Sequence, residues 1–252
     1  MSAVYGGHHD ELIGDFIICT THQLFRYYNT FDLLILDEVD AFPLNNNETL
    51  MNIAHNSCKG RIIYSTATTN SFILNYIKNR KYKEINLYVR PSLKPLIVPK
   101  IYLMPNIIMY IVIYKILKSR NQQWIVFVSS KDKAKKLNKI FSKLFNTTYV
   151  YSDLEDRRKN INNYKTKKNQ IIFSTTVLER GITIKDVNVC ILYDRKNAFS
   201  KESLIQMCGR VGRSINNPYG ELFILSSVID LNIIDCKKEI VGANKKYEMQ
   251  VL

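Results

Sequence analysis

Four short blocks of this chain carry residue types able to handle phosphate, water and a divalent cation. The apolar run Leu33-Leu34-Ile35-Leu36 leads directly into Asp37-Glu38-Val39-Asp40. Acids at the carboxyl end of a buried strand sit where open α/β sheets place their ligands. Asp37 can hold Mg²⁺, directly or through water, and Glu38 can orient a water for attack on the γ-phosphate of ATP. Taken alone, the same four residues also fit a solvated loop end. The second block, Arg61-Ile62-Ile63-Tyr64, runs into Ser65-Thr66-Ala67-Thr68. Ser65, Thr66 and Thr68 can hydrogen-bond the acids and pass a change there onward; hydroxyls here equally fit an ordinary helix cap.

The third block runs from Ile171-Ile172-Phe173 into Ser174-Thr175-Thr176-Val177-Leu178-Glu179-Arg180-Gly181-Ile182. The fourth is Gln206-Met207-Cys208-Gly209-Arg210-Val211-Gly212-Arg213. Two arginines three apart on a helix are one turn apart and point the same way. Their guanidinium forks suit a triphosphate, through bidentate bonds and permanent charge. A basic helix end is the plain alternative, and the spacing Gln-x-x-Gly-Arg-x-Gly-Arg favours the phosphate reading over it.

These blocks need strands and helices in alternation to position them. The expected strands are Phe16 to Cys19, Leu33 to Leu36, Arg61 to Tyr64, Trp124 to Val128, Gln170 to Phe173, Val187 to Tyr193 and Glu221 to Leu225. The expected helices are Asn70 to Asn79, Ile107 to Ser119, Asp132 to Phe145 and Lys201 to Val211. Short apolar runs alternating with helical patterns predict repeated βαβ units and a parallel sheet. From Arg90 to Pro105, Pro91, Pro95, Pro99 and Pro105 interrupt any regular element, which predicts a linker between two lobes.

Composition agrees with a globular chain of one large or two modest domains: 252 residues, 46% hydrophobic. No run approaches the roughly 20 apolar residues of a membrane span, and the N-terminus lacks the order of a signal peptide. A cytoplasmic setting is therefore expected. Five scattered cysteines without a CxxC pair suggest buried thiols rather than zinc or redox chemistry. The net charge of +14 favours a polyanionic partner, and it is lopsided: residues 1–95 hold nine basic and nine acidic side chains, the remainder 27 and 13. The lysines from Lys131 to Lys143 form either a phosphate-facing stripe or a solvated helix face.

With the four blocks in this order, the chain resembles the superfamily 2 helicases, with motif II at Asp37 to Asp40, motif III at Ser65 to Thr68, motif V at Thr175 to Gly181 and motif VI at Gln206 to Arg213. The stretch Thr20-Thr21-His22-Gln23-Leu24, followed by Phe31 to Pro43 with its Asp-Glu-Val-Asp-Ala-Phe-Pro sequence, is similar to the ComF operon helicases, the late-competence DNA-uptake family of Gram-positive bacteria. The resemblance implies an α/β fold of two RecA-like parallel-sheet lobes in series with ATP bound between them, and an ATP-driven translocase of single-stranded DNA. It further implies a membrane uptake channel and a phosphoribosyltransferase-like competence protein as partners, and a place at the membrane periphery. By the same resemblance Arg210 and Arg213 contact phosphate, with Arg213 the finger, Gln206 and Gly181 lie on the nucleotide side, and Asp37 holds Mg. Thr20, Thr21, Ser129, Thr175 and Thr176 fall where such motors meet the nucleic-acid backbone or couple it to the nucleotide.

Two features of the family are missing from the 252 residues. None of the nine glycines is followed by Lys, so no GxxxxGK[ST] phosphate loop is present, and there is no four-cysteine zinc site. The expectation is therefore a first lobe, residues 1–95, incomplete at its N-terminus and with uncovered apolar surface, followed by a second lobe at 96–252. Such a chain would not hydrolyse ATP unless a separate fragment supplied the loop. The alternatives are a non-catalytic nucleic-acid-binding remnant and another superfamily 2 role in replication restart or RNA remodelling.

Overall fold

A computed structural model describes residues 1–9, 13–68, 71–79, 82–90, 92–118, 122–182, 184–215 and 217–251. Asn70, Pro91 and Ser119, named in the expectations above, lie outside the described residues. The chain divides into two compact units, Met1–Ile85 and Asn86–Leu252.

In the first unit, β1 (Ser2–Tyr5) pairs antiparallel with β2 (His8–His9) and parallel with β3 (Ile17–Cys19). A second, two-stranded sheet joins β4 (Phe31–Leu36) in parallel to β5 (Cys58–Tyr64). Between them runs α1 (Glu48–Ser57), whose first turn is capped by the Asn47 carboxamide oxygen accepting from the Leu50 N–H at 3.1 Å. After β5 comes α2 (Ser71–Asn79). The small core gathers Leu24, Leu34, Leu36, Val39, Leu44, Met51 and Ala54.

The sequence pattern suggested a fully buried β4, but the strand alternates. Leu34 and Leu36 face the core, while Leu33 and Ile35 are 52% and 59% exposed, as is Ile63 of β5 at 50%. Successive side chains of a strand point to opposite faces, so an apolar run is buried throughout only where both faces are covered.

The second unit meets that condition. Its six strands are β6 (Lys100–Leu103), β7 (Gln123–Phe127), β8 (Thr147–Val150), β9 (Ile171–Ser174), β10 (Val187–Tyr193) and β11 (Leu222–Ser226). They lie in the order β6-β11-β10-β7-β9-β8, and every pairing is parallel. The helices are α3 (Asn106–Lys118), α4 (Lys131–Phe141), α5 (Arg157–Lys165), α6 (Lys201–Cys208) and α7 (Leu231–Val251). All seven residues of the central strand β10 are buried. Alternate residues serve two cores, with Val189 and Ile191 packed beside Leu204, Met207 and Ile240, and Cys190 and Leu192 beside Trp124, Leu137 and Met109.

The segment expected as a linker is built into this second unit. Lys100–Leu103 is an edge strand, and Leu96, Ile97 and Val98 pack against the core. Asn244 of α7 clamps Leu96, its Oδ1 accepting from the Leu96 N–H at 2.7 Å and its Nδ2 donating to the Leu96 carbonyl at 2.8 Å.

Candidate functional site

In the first unit the acids and the small hydroxyls meet at the carboxyl ends of β4 and β5. Because these strands are parallel neighbours, Asp37 and Ser65 leave the sheet at the same edge. The Ser65 N–H donates to the Leu36 carbonyl at 2.8 Å, and the Val39 N–H returns to the Ser65 carbonyl at 3.2 Å. Glu38 between them has φ 53°, a left-handed conformation that non-glycine residues seldom adopt. Asp37 is exposed, and its Oδ1 accepts from the Glu38 N–H at 3.0 Å. Asp40 turns the other way. It is 6% exposed and its Oδ2 accepts from the Thr68 hydroxyl at 2.7 Å, while the Thr66 hydroxyl bridges to the Thr68 carbonyl and N–H at 2.5 and 3.2 Å. Two carboxylates three residues apart thus divide into one that faces solvent and one that ties the two strand ends together. Thr20 and Thr21 follow β3, Thr20 as the exposed residue that opens a short 3₁₀ turn over Thr21–Arg26.

In the second unit β7 and β9 are also parallel neighbours, so Ser129 and Thr175 emerge at one edge. Thr176 is exposed in the 3₁₀ turn that follows, and Gly181 has φ 67°. Arg210 closes this loop from behind: its Nε donates to the Glu179 carbonyl at 3.1 Å and its Nη1 to the Ile182 carbonyl. Only 4% of Arg210 is exposed.

This placement corrects the expectation that Arg210 and Arg213 share a face. The helix was expected to run to Val211 but α6 ends at Cys208 with Gly209 as its cap, so the spacing of one helical turn no longer applies. Gly212 then takes φ 66°, where an added Cβ would collide with the Pro218 carbonyl. That bend is open only to glycine. Arg213 is left exposed, its Nε donating to the Gly209 carbonyl at 2.7 Å. Gln206, two residues before the end of α6, is 8% exposed.

Two contributors escaped the sequence reading. Arg90, in the stretch expected as linker, donates through Nη2 to the Val211 carbonyl at 3.0 Å and the Gly209 carbonyl at 3.5 Å. Burial, then the charge of Arg213, lowers its pKa. The partners lie more than a hundred residues away, so nothing local signalled the bond. The other is Asp194, which follows β10 and accepts from Lys133 of α4 at 2.8 Å, with side-chain exposures of 18% and 14%. Burial pushes its carboxyl up, but the hydrogen bonds of Lys133 and Ser129 and the charge of Lys133 prevail and hold it below the usual carboxylate range. An acid directly after an apolar strand was the available signal, as at Asp37.

The donor set at Asp37 and Glu38 fits Mg²⁺. The oxygens are hard, and among the described residues no group of three or more His, Cys, Asp or Glu side chains gathers as a cage. A cation held by one or two carboxylates, with water and phosphate oxygens completing the shell, is the arrangement Mg²⁺ prefers.

Residues 106–215 match the family model for the helicase conserved C-terminal domain. The chain is 35% identical over 245 residues to competence protein ComFA of Streptococcus pneumoniae, covering 91% of this chain and 57% of that protein. It is 26% identical over 266 residues to competence protein ComFA of Bacillus subtilis, covering 97% and 56% respectively. It therefore spans somewhat more than half the length of these relatives. Among solved structures, Saccharomyces cerevisiae Dbp5 bound to RNA and ADP BeF₃ superposes with a TM-score of 0.67 at 17% identity, covering 96% of this chain and 68% of that one. At that identity the likeness speaks for the fold alone. With the helicase conserved C-terminal domain matched over residues 106–215 and the competence relatives matched over most of its length, the chain is similar to the ComFA-type superfamily 2 helicases.

Proposed function

We propose that the chain is the part of an ATP-driven, single-stranded-DNA translocase that holds motifs II to VI, acting in DNA uptake. The observation that carries the reading is the arginine loop, in which Arg90 and Arg210 engage backbone carbonyls and Arg213 reaches solvent. An exposed guanidinium on an immobilised loop suits an arginine finger, which meets charge developing on the transferred phosphoryl group. In this reading Asp37 holds Mg, Glu38 orients water, and Gln206 and Gly181 shape the nucleotide side. Thr20, Thr21, Thr175 and Thr176, exposed or half-buried, meet sugar–phosphate backbone, a sequence-independent contact, while Ser129, its hydroxyl buried, couples that contact to the nucleotide side. Thr68 and Thr66, tied to Asp40, relay change at the acids.

Nothing in these 252 residues supplies the glycine-lysine cradle for the β- and γ-phosphates. Turnover in this proposal needs that cradle from sequence outside them. In this proposal the partners are a membrane uptake channel and a phosphoribosyltransferase-like competence protein, and the chain works at the membrane periphery. No helix among the described residues is long and apolar enough to cross a membrane itself.

The test is steady-state phosphate release by the purified chain with saturating Mg·ATP and single-stranded DNA, with Glu38→Gln as the contamination control. No release above that control is expected. Adding a polypeptide that carries the phosphate loop should restore DNA-stimulated release. Release by the chain alone, well above the control, would overturn the reading of the missing cradle. DNA binding with no turnover in any combination would favour the non-catalytic remnant instead.

A further inference from the structure

The long lysine helix α4 does not stand free in solvent; it lies along β8, the edge strand of the six-stranded sheet. Asn138 of α4 fixes this contact by accepting from the Thr147 hydroxyl at 2.7 Å. From α5, Asn160 donates to the Tyr149 carbonyl at 3.0 Å. The strand is thus tied to helices on both sides and forms a rigid base for whatever projects from it. Tyr149 and Tyr151, two residues apart, project to the same side, and their rings stack with centroids 6.1 Å apart and planes 22° apart. The Lys135 ammonium lies over the Tyr151 ring at 5.1 Å.

Lys131, Lys135 and Lys139 recur every fourth residue and so form one row along α4. Asp153 occupies Lys131 at 3.7 Å, and Lys133, on another side, is taken by Asp194. Asp132 is the one acid of the helix itself. Among the described residues neither Lys135 nor Lys139 has a carboxylate within ion-pair distance, and both are exposed. A cationic row beside a stacked aromatic pair on a fixed edge is the combination that receives a single nucleic-acid strand: ammonium groups follow the phosphates, and an aromatic face takes a base. A duplex hides its base faces and could use only the lysines.

We propose that Tyr151, backed by Tyr149 and flanked by Lys135 and Lys139, is a stacking site for single-stranded nucleic acid, additional to the helicase motif residues. A base takes the place of the Lys135 ammonium on the Tyr151 ring, and the ammonium moves to a neighbouring phosphate. The exposed cation–π contact given up is weak, so the exchange favours the ligand. This rests on the nucleic-acid reading above and assigns that reading a second place on the surface.

The test is fluorescence anisotropy of a labelled oligothymidylate of roughly 20 nucleotides, titrated with the full chain over a range of salt. Tyr151→Ala should weaken binding about tenfold to a hundredfold at every salt concentration, with little change in salt slope, and Tyr151→Phe should bind like the parent. Lys135→Gln with Lys139→Gln should flatten the plot of log K against log salt by about 0.7 per lysine. A duplex of the same length should not register Tyr151→Ala. Parental affinity in Tyr151→Ala, or an unchanged slope in the lysine double variant, would overturn the site while leaving the motor reading intact. If Tyr151→Ala does not fold, the lysine variant decides alone. A parent chain that binds no single strand would overturn both.

Discussion

Arg210 and Arg213, alike in sequence, should differ sharply when each is cut to alanine. Arg210 is 4% exposed and donates to two loop carbonyls, of Glu179 and Ile182. A hydrogen bond from a charged donor contributes about 1.5 to 3 kcal/mol, and the two carbonyls would be left in a closed space. Arg210→Ala should therefore destabilise the second unit by about 3 to 4 kcal/mol. For a unit of this size that is roughly a 10 °C fall in melting temperature. Arg213 is exposed and donates to Gly209 within its own loop, so Arg213→Ala should cost less than about 1 kcal/mol. The readout is built in: Trp124 is the chain's one tryptophan, fully buried in the second unit and stacked on Phe223 with planes 15° apart. Its fluorescence during urea or thermal unfolding reports that unit and not the first. Equal shifts for the two variants would refute the division into a buried tie and a surface finger.

Given a phosphate-loop polypeptide and DNA, Arg213→Ala should reduce turnover by about 10³ or more, and Lys should restore little because it lacks the planar fork; near-parental release would remove Arg213 from the mechanism. Lys133→Met should destabilise the second unit at neutral pH by about 2 kcal/mol, discounted from a fully buried pair because both ends reach water. The Asp194 carboxyl is depressed in the folded state, so its contribution is complete above the unfolded value of about 3.9 and is lost as pH falls through the folded one. Melts of parent and variant should accordingly converge as pH falls below the ordinary carboxylate range, and a constant gap down to acid pH would exclude the ion pair as its source. A fragment of residues 86–252 should melt cooperatively, whereas residues 100–252 should melt several degrees lower or broadly, having lost Arg90 and the Leu96–Asn244 clamp; identical melts would show that the preceding segment adds nothing.

Some of this was legible in the chain itself. Apolar strands announced themselves, in the second unit because a parallel strand covered on both faces is apolar along its length, as Val187–Tyr193 is, and in the first although Leu33 and Ile35 stay exposed. The acids and hydroxyls after such strands were placed correctly at strand ends by the same logic. Elements without that contrast were missed. Thr147–Val150 is short and half polar, Lys100–Leu103 lies among prolines, and α7 spreads its few buried residues among lysines. Tertiary structure alone decided which side chains face solvent. The spacing of Arg210 and Arg213 is the same in a helix or out of it; only the Gly212 bend, fitted under the Pro218 carbonyl, sends one inward and leaves the other out. Likewise Arg90 meets Val211 across 121 residues of sequence, and Lys133 meets Asp194 only because the sheet brings the ends of β7 and β10 together. Sequence fixes which groups a strand end can offer, since that depends on residue type and local pattern; partners depend on which strands the packed sheet makes neighbours.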